Sequence, residues 1–142
     1  MSKNYDVKIS VMSAINSIDE GSETENNESI YNGSLIDDGE GKMMLSYDEK
    51  TDGGPMNTEI HIRDTRVVVK RRGAIVSDMV FSEGRKSTSV YSIPPHSFDM
   101  TIECSHLEKQ VSDREGSIDL LYTMEFGGDT RSARMRITWS LA

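Results

Sequence analysis

Arg71 is the residue with the most chemistry to offer. It follows Val67 and Val69 at intervals of two, so a regular strand aims it to the same side as those valines. A guanidinium on an apolar face needs a carboxylate, phenols or carbonyls around it, because burying an unpaired charge is expensive. Tyr47, Tyr91 and Tyr122 sit at inward positions on their own alternating segments and would supply hydroxyls. Together with Arg71 they would hold the anionic end of a ligand, while Met79, Phe81 and Met100 pack its apolar part. The plainer alternative leaves Arg71 at a strand end beside Gly73, with its head in water. Glu49 and Glu83 share parity with apolar neighbours and lie near turns. They form a candidate polar mouth, facing Arg71 or acting as a paired acid and base. Paired carboxylates do such work only where their surroundings split their pKa values, and an ordinary ion pair or solvated turn charge is the simpler account.

Other chemistries find less support. His61, His96 and His106 stand far apart, at no metal-ligand spacing, and none teams with Cys104. Cys104 has inward parity and reads as an inert core thiol. Asp37, Asp38 and Glu40 lack the ligand ladder of a calcium loop. No phosphate-cradling glycine motif or nucleophile elbow occurs. The sequence therefore implies no metal and no cofactor. The nine methionines either line an adaptable cavity or fill gaps in a packed core, and the packed core is the simpler reading.

The elements that carry these residues alternate with a period of two. From Ile118 to Phe126 apolar residues occupy every second position, and Ala133, Met135, Ile137 and Trp139 repeat the pattern beyond Gly127-Gly128. Such alternation marks strands with one dry and one wet face. A two-residue turn at the glycines places Phe126 opposite Asp129, Tyr122 opposite Ala133, Leu120 opposite Met135 and Asp119 opposite Arg136. Further strands are expected at Val7–Val11, Ile30–Ile36, Met43–Glu49, Thr58–Arg63, Arg66–Arg72, Ser77–Ser82, Thr88–Ile93 and Phe98–Cys104, with a short helical turn near Ser105–Ser112. Residues 18–29 are polar and acidic and read as a mobile hairpin loop. Pro94-Pro95 interrupts pairing, since proline has no donor for the ladder. Strands joined by tight turns stack as a sandwich or close as a barrel, and sequential hairpins favour an antiparallel, mostly up-and-down barrel of about 8–10 strands. Its inward set includes Leu45, Ile60, Ile62, Phe98, Ile102, Met124 and Trp139.

The chain of 142 residues suits one domain, residues 1–142. Its net charge of −8 is concentrated in residues 1–60, which carry 13 acids and 4 bases, whereas residues 61–142 carry 11 and 12. That charge argues against nucleic acid and anionic membrane as partners. A single cysteine, no apolar leader at Met1–Asp6 and no long apolar run point to the cytoplasm.

The segments Leu45–Glu49, Val69–Gly73 and Met79–Gly84, then Tyr91 with Pro94, Met100–Ile102 and Gly116–Tyr122, resemble the YwiB-like bacterial family in order and spacing. The resemblance runs from about Val7 to Trp139 and departs at Pro95-His96, where a glycine commonly follows the proline. It implies a calycin-like, lipocalin-like β-barrel and implies no particular activity. The leading expectation is thus a non-enzymatic binder of a small, partly apolar and anionic molecule. A protein-interaction module with a filled barrel is the alternative, with Leu121 on the outer face as its hint. An enzyme with an acid/base pair at the mouth is third. A homodimer through a strand face is the assembly such an exterior would support.

Overall fold

In the computed structural model, residues 3–17, 24–112 and 114–142 are described. The elements among them are ten strands: β1 (Lys3–Ser17), β2 (Thr24–Asp37), β3 (Met43–Thr51), β4 (Gly54–Ile62), β5 (Arg66–Gly73), β6 (Ser77–Ser82), β7 (Lys86–Ile93), β8 (His96–Val111), β9 (Gly116–Phe126) and β10 (Asp129–Leu141). They form one antiparallel sheet in the order β6-β5-β4-β3-β2-β1-β10-β9-β8-β7. Consecutive strands are neighbours and the first pairs with the last, which is an up-and-down barrel. The seam lies between β6 and β7. A turn over 83–85 joins them, yet along their length they share one bridge, Val76 to Ser92, with reciprocal backbone hydrogen bonds of 2.9 Å. At the other end Gly84 N donates to the Cys104 carbonyl at 2.8 Å. The barrel is nearly closed.

Alternating burial follows from the alternating sequence. The β9–β10 register matches the expected one at Phe126–Asp129, Tyr122–Ala133, Leu120–Met135 and Asp119–Arg136. Inside, the lower half is solid: Val7, Ile9, Leu35, Leu45, Val67, Val69, Phe81, Ile118, Leu120 and Ile137 are wholly buried. Lys109 crosses this base, its Nζ donating to the carbonyls of Arg63 (2.5 Å) and Asp64 (2.6 Å) in the β4–β5 turn. The upper end, where β1 meets β2, β3 meets β4 and β9 meets β10, is the mouth.

Four expectations change. Residues 24–29 are not loop but the first part of β2, paired with β1 from Asn16↔Thr24 to Val11↔Ser29; the rest of the expected loop, 18–23, lies outside the described residues. Polar composition hid this stretch because Asn27 and Ser29 face a cavity and Asn26 and Glu28 face outwards, so neither face needs apolar residues. The helical turn expected near Ser105–Ser112 is strand, part of β8, with a bulge between Cys104 and His106. The extra residue resets the parity, so Leu107 and Lys109 oppose the buried Leu120 and Ile118. The strand expected from Thr58 begins earlier, with Gly54 and Pro55 already in β4. Phe98, expected inside, is 37% exposed at the mouth, with Tyr91 half-buried beside it.

Candidate functional site

Above the packed base the barrel holds a cavity of about 490 Å³, within the range of small-molecule sites. Its lower tier is set by the register. Tyr47, Thr58, Arg71 and Ser77 are direct cross-strand partners in a row over β3, β4, β5 and β6. The row meets Tyr122 of β9, whose ring packs edge-on to the buried Phe81 at 4.8 Å. Arg71 therefore stands where apolar base gives way to cavity.

Its guanidinium donates to the Met79 thioether at 3.2 Å, and among the described residues it forms no ion pair. The hydroxyls of its two flanking neighbours, Thr58 and Ser77, are also buried without a hydrogen-bond partner among the described residues. Thr58 comes near the Tyr47 phenol without reaching hydrogen-bond geometry. Burial pushes the Tyr47 and Tyr122 phenols up to about 12, against the opposing pull of Arg71. Tyr31 stacks on Tyr47 with ring centroids 4.3 Å apart and donates to Glu49 Oε2 at 2.8 Å. Its own pKa is raised, chiefly by burial and further by the Glu49 carboxylate. At the rim Tyr91, Phe98 and Phe126 form an aromatic chain with centroids 5.4 and 5.6 Å apart. Arg131 lies 5.6 Å over Phe126 while paired with Asp129 at 3.2 Å.

Six of the seven residues expected to bind a ligand, Tyr47, Arg71, Met79, Tyr91, Met100 and Tyr122, line this cavity, as does Glu49. Phe81 does not: it lies beneath, fully buried in the base. Glu83 does not either. It follows the base end of β6, where it accepts from Leu107 N at 3.1 Å and lies 3.6 Å from His106. The strand length that sets Arg71 at the cavity floor carries Glu83 to the base end of the barrel, so Glu49 and Glu83 form no pair. Residues 9–137 match the family model described as a domain of unknown function, DUF1934. The chain belongs to the DUF1934 family.

Within this family resemblance, the uncharacterized β-barrel protein YwiB of Bacillus subtilis (strain 168) is 24% identical over 88 residues, which span 62% of this chain and 62% of that protein's length. The crystal structure of the ywiB protein from Bacillus subtilis superposes with a TM-score of 0.88 at 22% identity, covering 98% of this chain and 93% of that one. At that identity the match establishes the barrel fold. Several lining residues of this DUF1934 barrel escaped the sequence reading. Met56, Ser13 and Ser29 lie in strand ends beyond the expected boundaries, and the alternation that marks Tyr31 and Phe126 as strand carries no sign of a site role. Thr58 and Ser77 were detectable only through the register that sets them beside Arg71.

Proposed function

We propose that the protein binds a small, partly apolar anion inside the barrel, in the manner of a lipocalin-like carrier of the cytoplasm. One observation carries this reading. Arg71 is a half-buried guanidinium on the cavity wall with a thioether as its hydrogen-bond acceptor and no ion pair among the described residues. A carboxylate, sulfonate or phosphate would complete its hydrogen bonding, and charge-assisted bonds of that kind are the strong ones. Tyr47 and Tyr122, neutral at physiological pH, are placed to donate to the same group. Met56, Met79, Met100, Met124 and Met135 supply an adaptable apolar lining. The outer groove of about 740 Å³ beside Lys8, Ile30 and Trp139 is larger, but it gathers no comparable set of charge and phenols against apolar walls.

The test is a fluorescence titration with 1-anilinonaphthalene-8-sulfonate, an aryl anion, on the full chain and on Arg71→Leu. Saturable binding at one site by the parent, weakened about tenfold or more by the substitution, is expected from the loss of a charged hydrogen bond. Equal binding by both chains would overturn the reading. A second reading, a protein-binding exterior, draws on Leu121, Met12 and Ile30, which are exposed on the outer faces of β9, β1 and β2. Arg134, between Ala14 and Leu121 in the register, interrupts that strip with charge.

A further inference from the structure

The cavity walls differ in kind across the barrel. On one side β2 and β3 contribute Asn27, Ser29, Tyr31, Tyr47, Glu49 and Thr51, while β1 beside them adds Ser13 between the apolar Val11 and Ile15. On the other, β7, β8 and β9 contribute Tyr91, Phe98, Met100, Met124 and Phe126 above the buried Tyr122. The order of strands around the ring sets β2 and β3 diametrically across from β7 and β8. One wall can therefore exchange hydrogen bonds with a ligand while the wall facing it offers thioethers and ring faces. Arg71 stands at the bottom of the cavity, in the row with Tyr47 and below the rim aromatics.

We propose that the ligand is facially amphipathic: a rigid anion with hydroxyl groups along one face and hydrocarbon along the other, seated acid-first. This rests on the anion-binding reading above and specifies the class of molecule that fits it. The acid meets Arg71. The hydroxylated face meets Asn27, Ser29 and the Glu49 oxygen that has no hydrogen bond among the described residues, the other oxygen accepting from Tyr31. The apolar face lies on Met100, Met124 and the rim aromatics. A molecule apolar all round would displace water from the β2–β3 wall without replacing its hydrogen bonds, and a polar group left unpaired weakens binding. A molecule polar all round would forgo the methionine wall.

The experiment is calorimetric titration of the full chain with three anions below their micelle concentrations: cholate, whose hydroxyls lie on one face; lithocholate, the same skeleton and acid with a single hydroxyl; and dodecanoate, a flexible acid. Skeleton and charge are common to the first two, so their difference reports the polar wall. Cholate is expected to bind about tenfold more tightly than lithocholate, the effect of one or two unpaired polar groups. Lithocholate or dodecanoate binding as tightly as cholate, or more so, would overturn the facial assignment and leave the anion reading standing. Failure of all three, together with absent sulfonate binding, would overturn both.

Discussion

At the scale of single residues, the site is a contest between burial and charge. Tyr47 and Tyr122 are 6% and 4% exposed, and the low polarity around them resists ionisation more than Arg71 favours it. Both phenols are pushed up to about 12 in the fold, from an ordinary value near 10. Between those values the folded chain retains protons that the unfolded chain has released, so stability is full below pH 10 and declines as pH rises from about 10 to 12. Two pKa units correspond to roughly 3 kcal/mol for each phenol as an order of magnitude. Ultraviolet titration should show a delayed tyrosinate component, from Tyr47 and Tyr122, that appears with loss of the barrel's circular dichroism. All five phenols ionising together near pH 10 in a folded barrel would contradict this placement of Tyr47 and Tyr122. In Arg71→Leu the delayed component should move to still higher pH, since the nearby cation is gone.

At the scale of elements, hydrogen-bonding is uneven round the barrel. β1, β9 and β10 have long ladders on both edges, whereas among the described residues β6 and β7 share along the seam one bridge, Val76 to Ser92. Amides facing that seam lack ladder partners, so local opening should cost less there. Native-state hydrogen exchange should find β6 and β7 less protected than β9 and β10 by at least about tenfold, and equal protection would mean that the ladder zips shut in solution. How far these elements were legible depended on whether their two faces differed. The β9–β10 hairpin was readable to the residue, because its inner face is apolar along its length and Gly127-Gly128, both at positive φ, fixes the turn. Even there Asp119 lies closer to Arg134 (3.2 Å) than to its direct partner Arg136 (4.0 Å), since long side chains reach diagonal neighbours. The start of β2 was unreadable because its inner face is the polar cavity wall. The β8 bulge was unreadable because a one-residue parity change leaves no composition signal. The site followed the same rule: Arg71 and the tyrosines were visible as polar intruders on apolar parity, while Thr58 and Ser77 gained meaning only from pairing. Glu83 was misplaced because its parity is right but its height in the barrel is wrong.

At the scale of the whole molecule, stability and binding are assigned to different halves of one barrel. The base packs aliphatic residues and Phe81 to completion and is crossed by Lys109. The upper half leaves a cavity and places in its wall a cation without an ionic partner among the described residues. A half-buried unpaired charge opposes folding, and replacing it with an apolar residue of similar size is expected to be neutral or stabilising. Arg71→Leu should therefore melt at or above the parent temperature when both are free of ligand. Ligand reverses the order. An anion at a hundred times its Kd adds about 2.7 kcal/mol to the parent, which for a domain of this size raises Tm by roughly 8 °C, and a variant that binds tenfold more weakly gains about half as much. Thermal melts of both chains, with and without the sulfonate probe, separate the possibilities. A variant that melts far below the parent without ligand would make Arg71 a structural residue. A ligand-dependent crossing of the two melting temperatures would mark it as a group kept at the expense of stability for what it binds.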